Sequence, residues 1–280
     1  MPISSSGQGF SDNTATKQEQ FKYFATVHLN ICQNGIFKRH QGKSWLSAKY
    51  HFIDLNAGTG INEEYGKGSP IIFLEKSQEL NVDTSCFFVD IEQNIIDELK
   101  DNVAKISAKT SHSYFSIGNK KALEQISSII QSNTSNKAVY GLVYSDENGN
   151  IPPFEELSKF FSQQHLSKID VLIYFSATNI KRVLKSAEQE NCKRLAEYIC
   201  DLPKTHWQVR QLEDRHQWCF LFGTNWSNKS GKMGYPEIRK LGFRDIQSRE
   251  GQKILEQASY TNDELDLKQK PFFPGFEDLL

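Results

Sequence analysis

Residues 52–60 read FIDLNAGTG, an apolar run that ends in an acidic residue and a glycine-rich turn. A short apolar run bounded by glycine is typical of a buried strand in a parallel sheet, so the pattern predicts a strand at residues 50–55, with Asp54 near its end. Gly58 and Gly60 allow the tight turn that leads off such a strand, and they let a ligand approach the backbone closely. The stretch therefore predicts the first strand of an α/β fold, with a candidate binding turn at its tip.

The alternation of strands and helices continues on both sides of this stretch. Further strands are predicted at 86–90, 113–117, 139–144 and 169–175, and helices at 17–36, 70–80, 93–106, 120–130, 154–161 and 181–200. Such alternation predicts a parallel sheet that is covered on both faces. Two more strands, 206–212 and 217–222, are separated by only four residues and predict an antiparallel hairpin. We therefore expect a Rossmann-like α/β fold with seven strands.

The two ends of the chain differ from this alternation. Residues 1–16, MPISSSGQGFSDNTAT, contain no apolar core and predict a disordered arm, not a signal peptide. Residues 17–225 form the predicted Rossmann-like domain, which starts with an N-terminal helical arm at 17–36 that Asn34-Gly35 would end. Residues 226–280 form a predicted small C-terminal extension with a short helix at 250–259.

Composition limits the function classes. The net charge of -1 excludes nucleic-acid binding by bulk charge but leaves room for a local basic patch. Residues 226–249 supply such a patch, with six basic and two acidic side chains and with Trp226 and Tyr235 between them. No apolar run reaches the length of about 18 residues that a membrane span needs. Five cysteines without a C-x-x-C pair predict a reducing, cytoplasmic location and no metal site.

The turn at 56–60 favours a cationic ligand. Glu63 stands where the dinucleotide pattern G-x-G-x-x-G has its third glycine. Asp54 precedes Gly58 by four residues, and a carboxylate beside such a turn attracts a cation and repels a pyrophosphate. The pattern therefore favours S-adenosylmethionine, which carries an ammonium and a sulfonium group, over a nicotinamide cofactor. The alternative is a strand-to-loop turn that binds no ligand.

Neighbouring strand ends extend the predicted cofactor site. Asp90 ends the second strand, where a carboxylate can accept hydrogen bonds from both ribose hydroxyls, and Glu92 is the alternate candidate. Asp90 can also cap the helix that follows. After the third strand, Ser116 and Asn119 either meet the adenine amino group or form an ordinary turn. The whole predicted cofactor-binding set is Asp54, Asn56, Gly58, Gly60, Asp90, Ile91, Ser116 and Asn119.

The fourth strand leads to the predicted catalytic position. Residues 143–154, VYSDENGNIPPF, lie beside the point where the strand order of an open α/β sheet reverses, and ligands bind there. Asp146 is predicted to accept a proton or a hydrogen bond from an attacking nitrogen, and the alternative is a turn residue. Ser69 and Pro70 are interpreted as the N-cap and first residue of a helix. Pro152-Pro153 is interpreted as the start of the next helix.

A family resemblance follows from four segments. They are FIDLNAGTG at 52–60, GKGSP at 66–70, LVYSDENGNIPPFEEL at 142–157 and KIDVLIYFSATNIKR at 168–182. Together they resemble the three-Cys-motif partner proteins, which are methyltransferase-like proteins encoded in phages and mobile elements beside a radical-enzyme partner. The resemblance covers about residues 17–225. It implies a class I methyltransferase fold with Asp54, Gly58 and Gly60 at the cofactor, and a protein partner that is encoded nearby.

These observations predict methyl transfer from S-adenosylmethionine to a nitrogen of a DNA or RNA base, with Asp146 at the catalytic position. The predicted substrate-binding residues are Tyr144, Phe154, Lys232 and Arg239, of which the first two could stack on a flipped base. Two alternatives stay open. Because Glu147-Asn148 replaces the Pro-Phe of the family, the chain could be a degenerate methyltransferase that binds a partner without turnover. The near-zero net charge favours a small-molecule methyltransferase.

Overall fold

Helices and strands of the folded chain follow the predicted alternation. The structure is a computed structural model and describes residues 14–62, 66–106, 110–135, 137–147, 151–178, 180–181, 195–213, 217–228, 230–233 and 235–269. The strands are β1 (Leu46–Asp54), β2 (Ile61–Asn62), β3 (Gly66–Lys67), β4 (Thr84–Asp90), β5 (Thr110–Ser116), β6 (Ala138–Asp146), β7 (Ile169–Ser176), β8 (His206–Arg210), β9 (Trp218–Thr224) and β10 (Phe243–Asp245). The α-helices are α1 (Thr14–Cys32), α2 (Ser69–Glu79), α3 (Gln93–Val103), α4 (Asn119–Thr134), α5 (Phe154–Phe161), α6 (Leu195–Asp201), α7 (Arg249–Ser259) and α8 (Asn262–Gln269). A π-helical turn follows α1 at Gln33–Phe37, and 3₁₀ helices lie at Gln164–Leu166 and Pro236–Leu241.

One large sheet organises the chain. Its order is β10-β8-β9-β7-β6-β1-β4-β5, and a separate ribbon pairs β2 with β3. The five strands β5, β4, β1, β6 and β7 are parallel to one another. Strand β9 runs antiparallel to β7 and β8, and β10 runs antiparallel to β8. We call the edge at which the five parallel strands end the carboxyl edge, and the opposite edge the amino edge.

Apolar side chains fill both faces of the sheet. On one face, Phe21, Ile71 and Ile96 bring α1, α2 and α3 onto the sheet. On the other face, side chains such as Ile126 and Leu157 bring α4 and α5 onto it, with α6 and α7 beside them. A parallel sheet with helices on both faces is the predicted Rossmann-like α/β fold, which is therefore confirmed. In the described part of the chain, no helix has the length and apolar character that crossing a bilayer requires.

The sheet has one strand more than the sequence predicts. The hairpin of β8 and β9 is antiparallel, as predicted. The additional strand is β10, which comes from the predicted C-terminal extension and pairs with β8 through Phe243 and Arg210. The three residues of β10 include a single apolar side chain, so the sequence shows no strand periodicity there. The strand forms because the edge of β8 is free to pair with it.

Several predicted boundaries need correction. Helix α1 begins at Thr14, and Asn34-Gly35 lies inside the π-helical turn and does not end the helix. Ser69 is the first residue of α2, whereas Gly68 occupies the N-cap position. The predicted helix at 181–200 lies mostly outside the described residues, and α6 covers its end. Residues 1–13 of the predicted arm and 148–150 of the fourth-strand motif also lie outside the described residues.

A buried polar cluster fixes α1 across the sheet. The Nδ1 atom of His28 lies 2.7 Å from the Tyr50 hydroxyl, and its Nε2 atom lies 3.0 Å from Asp170 Oδ2. The hydroxyl of Tyr235 donates to the same Asp170 oxygen at 2.8 Å. Because Asp170 stands near the start of β7, this cluster holds the later turns of α1 toward the amino edge. The first turn of α1, which carries Lys17, is thereby directed to the carboxyl edge.

Candidate functional site

The glycine turn after β1 has two glycines with different roles. Both Gly58 and Gly60 have positive φ angles, +58° and +74°. A Cβ on Gly60 would lie 2.7 Å from Leu99 Cδ1, so close packing requires glycine there. A Cβ on Gly58 would meet no heavy atom of the described residues within 4 Å. The turn therefore packs tightly on one side and presents open backbone on the other, as close approach of a ligand requires.

Asp54 is a buried carboxylate with one free oxygen. It ends β1, the central strand, and its side chain has no solvent exposure. Its Oδ1 accepts the backbone N–H of Asn56 at 3.3 Å, whereas its Oδ2 has no hydrogen-bond partner among the described residues. Burial raises the pKa of Asp54 to about 7, although the nearby Ser69 hydroxyl and the Asn56 backbone N–H act in the opposite direction. A cation would stabilise the ionised carboxylate here.

Asp90 connects the turn to the neighbouring strand. Standing at the end of β4, it accepts the backbone N–H of Gly58 at 3.2 Å and that of Glu92 at 3.1 Å. The predicted capping role is wrong, because Glu92 occupies the N-cap position of α3. Ile91, between these two carboxylates, has 74% of its side chain exposed. This combination presents a carboxylate and an apolar surface at adjacent positions on the carboxyl edge.

Ser116 and Asn119, the two residues predicted at the end of β5, form hydrogen bonds to neighbouring elements. Ser116, the last residue of β5, donates its hydroxyl to Gln93 at the start of α3, with an oxygen-to-oxygen distance of 2.5 Å. Asn119 begins α4 and donates its side-chain N–H to Glu147 Oε1 at 2.8 Å. Both side chains therefore lie on the carboxyl edge, and Asn119 is directed toward the end of β6.

Asp146 ends β6 beside the glycine turn. Its backbone N–H donates to the side-chain oxygen of Asn56 at 3.4 Å, which joins the ends of β6 and β1 across the point where the strand order reverses. Its Oδ2 accepts the Tyr144 hydroxyl at 3.3 Å and pairs with Lys17 Nζ at 2.6 Å. Its Oδ1 is buried and has no partner among the described residues. The Lys17 ammonium also lies 4.7 Å from the centre of the Tyr174 ring.

Sequence reasoning missed three residues of this site. Lys17 stands 129 positions from its partner Asp146, and nothing local in α1 distinguishes it from Lys22. Tyr174 lies on β7 in an apolar run, where the sequence pattern predicts a side chain of the hydrophobic core. Glu147 could have been predicted from the sequence, because it directly follows Asp146. Its burial raises the pKa of that carboxyl to about 7.

Of the predicted substrate-binding residues, only Tyr144 lies at Asp146, and both predicted aromatic rings are buried. Tyr144 is buried against Phe21, with ring centres 4.4 Å apart, and only its hydroxyl reaches Asp146. Phe154 is buried and stacks on the ring of Tyr198 at 4.9 Å. Neither ring can stack on a base without displacing its neighbour. The sequence predicts that both rings could stack on a base, because it does not show which face of β6 or α5 is covered.

The predicted basic residues also lie away from Asp146. Lys232 belongs to a turn in which Ser227 pairs with Met233, and the preceding Trp226 contacts Tyr140 near the start of β6. That turn is at the amino edge, because β9 is antiparallel and the chain leaves it there. Arg239 is exposed in the 3₁₀ helix at Pro236–Leu241, which packs beside α1.

Metal-ligating side chains do not cluster in the described part of the chain. No group of three or more His, Cys, Asp or Glu side chains among those residues is arranged to hold a metal ion. Of the described cysteines, Cys32, Cys86 and Cys219 are buried thiols and Cys200 is exposed.

Several solved structures of similar fold are described as methyltransferases. A human methyltransferase 10 domain containing protein shares 11% identity over 78% of this chain and 85% of that chain, with a TM-score of 0.38. A putative class I S-adenosylmethionine-dependent methyltransferase from Listeria monocytogenes shares 12% over 83% and 67%, with a TM-score of 0.41. The 16S rRNA methylase ArmA shares 10% over 79% and 94%, with a TM-score of 0.31. No protein-family profile and no curated protein matches this chain.

The strand order defines the fold class independently of those distant likenesses. When β2, β3 and β10 are set aside and the other seven strands are counted in chain order, the sheet reads 3-2-1-4-5-7-6, and its seventh strand is antiparallel. This is the arrangement of Rossmann-like class I methyltransferases. The residues at the carboxyl edge fit S-adenosylmethionine, because the free Asp54 oxygen suits a cation and the open backbone at Gly58 admits a ligand.

Proposed function

We propose that this chain is an S-adenosylmethionine-dependent methyltransferase that transfers a methyl group to a nitrogen. The observation that carries the proposal is the Asp54 carboxylate, which is fully buried at the tip of the central strand and has one oxygen without a partner among the described residues. A buried ionised carboxylate is costly unless a cation or a donor completes its shell. An ammonium or sulfonium group beside the open backbone of Gly58 would supply that partner.

The roles of the cofactor-binding residues follow from their chemistry. S-adenosylmethionine, when bound, supplies a methyl group on a positively charged sulfur. Asp54 then neutralises a cationic group, and Asp90 offers its remaining lone pairs to ribose hydroxyls while it holds the Gly58 backbone. Ile91, exposed beside Asp90, offers an apolar surface to the adenine. Ser116, at the next strand end, is proposed to contact the same base.

Asp146 is the proposed catalytic residue. An acceptor nitrogen needs a free lone pair, and a carboxylate next to it can orient the N–H or take up its proton. The Tyr144 hydroxyl and the Asn56 side chain hold Asp146 at the end of β6. The Lys17 ammonium occupies one Asp146 oxygen, so an acceptor nitrogen that approaches this oxygen must displace Lys17.

The acceptor that we propose is a base nitrogen of DNA or RNA. A carboxylate at the fourth parallel strand is suited to hold an exocyclic or ring N–H, and the base must be flipped out of a duplex to reach it. Membership in the three-Cys-motif partner family, with a protein partner encoded nearby, is part of the same proposal and rests on the four sequence segments that resemble that family.

A small-molecule amine is the second candidate acceptor. The observation that favours it is the Lys17 side chain, because a primary amine already lies between the Asp146 carboxylate and the Tyr174 ring. A carboxylate and an aromatic face together form a favourable environment for an alkyl ammonium.

The test uses methyl-labelled S-adenosylmethionine with single-stranded and duplex DNA, RNA and a set of primary amines. We expect label in nucleic acid, and we expect Asp146→Asn to lower the rate by about 100-fold or more while cofactor binding stays within a few-fold. Asp101→Asn, on an exposed turn of α3, is the matched control and should leave the rate unchanged. Label in amines alone would support the second candidate. Cofactor binding without any transfer would mean a degenerate methyltransferase that only binds.

A further inference from the structure

A stretch of the chain without acidic residues forms part of the amino edge. Residues 20–53 contain no Asp or Glu, although the whole chain has 34 of them, and they contain five Lys or Arg. The part of this stretch that leaves α1 and enters β1 is a compact loop, which is closed by backbone hydrogen bonds from Lys43 to His40 and from Leu46 to Lys43. The loop therefore has a defined backbone conformation, which determines where its basic side chains lie.

The cations of this loop are exposed around an exposed tryptophan. The Trp45 side chain is 44% exposed and lies against the His40 ring at 5.1 Å. The backbone N–H of Ala138 donates to the Trp45 carbonyl at 2.7 Å, which brings Lys137 beside the loop. We call the following residues the amino-edge surface: Lys38, Arg39, His40, Lys43, Trp45 and Lys137.

No ion pair neutralises the amino-edge surface within the described residues. Lys38 bonds to the neutral side chain of Asn34 at 2.9 Å, and the described salt bridges include none of the surface's four Lys and Arg side chains. Asp83, exposed ahead of β4, is a carboxylate on the same edge of the sheet. Lys232, on the turn whose Trp226 lies near Gly35, adds a further exposed cation on the same edge.

Four carboxylates surround the candidate site at the opposite edge. The carboxyl edge carries Asp54, Asp90, Asp146 and Glu147, and only Lys17 pairs with any of these four carboxylates in the described part of the chain. Phosphate groups are repelled by such a rim. The two edges are separated by the length of β1, roughly 25 Å at about 3.3 Å per residue. A polyanion that delivers a base to Asp146 therefore needs an anchor at a distance from the catalytic position.

We infer that the amino-edge surface binds single-stranded nucleic acid, with its cations on the phosphates and a base stacked on Trp45. Exposed aromatic rings among unpaired cations are how proteins hold single strands without reading sequence. An acidic protein would match the charge, but it would leave the role of the exposed indole unexplained. The inference rests on the proposed nucleic-acid acceptor, and it adds to it a docking surface that is separate from the catalytic edge.

The experiment is fluorescence anisotropy of labelled RNA and DNA single strands of about 20 nucleotides, measured without cofactor over a range of salt concentrations. We compare the wild-type chain with K38E/R39E/K43E. The matched control is K120E/K121E/K253E, which makes the same change of charge on exposed lysines outside the surface. The surface variant should lose most of its affinity, and the slope of log K against log salt should shrink by about 2, since each lost phosphate contact on a single strand removes about 0.7. The control should keep most of its affinity.

Trp45 provides a second and independent readout. Trp45→Ala should weaken single-strand binding by about tenfold or more, whereas Trp45→Phe, which keeps an aromatic face, should stay within a few-fold of wild type. Urea midpoints confirm that each variant is folded.

Equal losses in the surface and control variants, or an unchanged affinity in Trp45→Ala, would overturn the inference. So would a wild-type chain that binds no single strand at low salt. Because cofactor binding and methyl transfer are measured separately, a chain that binds nucleic acid but transfers no methyl group would contradict the proposed function alone.

Discussion

Replacing Asp54 with Asn should stabilise the ligand-free chain at pH 8 and leave its stability almost unchanged at pH 4. Burial raises the pKa of Asp54 from its ordinary value of 3.8 to about 7. Since the folded-state pKa lies above the unfolded-state pKa, the unfolded chain loses this proton first as the pH rises. The stability that neutral Asp54 contributes is therefore complete below about pH 4, is lost between pH 4 and pH 7, and stays lost above that.

The magnitude follows from the same two pKa values. They differ by about three units, and each unit corresponds to about 1.4 kcal/mol, so ionising Asp54 in the folded chain costs about 4 kcal/mol at pH 8. Asn cannot ionise and avoids this cost. We expect Asp54→Asn to exceed wild type by about 2–4 kcal/mol in unfolding free energy at pH 8.

Urea unfolding at a series of pH values between 4 and 8.5 measures this difference. Other groups shift the profile as well, since burial raises the pKa of Glu147 to about 7 and lowers that of His51 to about 4. Their contributions cancel when the variant is subtracted from wild type. Asp101→Asn, at an exposed position, should show a flat difference. A flat difference for Asp54→Asn, or a variant that is less stable than wild type at pH 8, would refute the reasoning.

Three further predictions concern the neighbours of this site. Lys17→Met should destabilise the chain by on the order of 1–3 kcal/mol because it leaves Asp146 without its cation, and adding Asp146→Asn should restore part of the loss in a double-mutant cycle of urea midpoints. Gly60→Ala should cost more stability than Gly58→Ala, since only the Gly60 Cβ would clash; equal losses would contradict this account. Phe154→Ala should cost about 3–5 kcal/mol as a core truncation, and a loss near zero would place the ring at the surface.

The sheet and its glycine turn could be predicted because their signals are local. The stretch at 52–60 contains the apolar strand, the carboxylate and the glycines within nine residues, and the β8–β9 hairpin follows from two runs with a short connection. Asp90 was found for the same reason, as an acidic residue that ends an apolar run. Features of this kind depend on residues that are neighbours in the chain.

The contacts at Asp146 could not be predicted because they are tertiary. Lys17 reaches Asp146 only after the buried cluster around His28 has fixed the direction of α1 across the sheet. Tyr144 and Phe154 were expected to face a substrate, yet each is covered by a ring from another helix. The hydrophobic periodicity of a single segment does not encode which helix will cover which strand.

The basic surface of the folded chain could also be predicted only in part. With a net charge near zero, the cations of residues 226–249 predict a basic patch in the C-terminal segment. The folded chain adds the loop before β1, because the parallel strands bring every strand start to one edge. In the sequence, the sign of this loop is the absence of acidic residues from 20–53, since its basic residues alone are not unusually dense.

The most direct test of the central claim is a calorimetric titration with S-adenosylmethionine and S-adenosylhomocysteine at pH 6 and pH 8. The account predicts dissociation constants on the order of micromolar for both ligands in the wild-type chain at pH 8. It predicts weaker binding of S-adenosylmethionine at pH 6, where Asp54 is mostly protonated, and no measurable binding to Asp54→Asn. Wild-type affinity in Asp54→Asn, or no binding of either ligand to the wild-type chain, would contradict the proposed cofactor site.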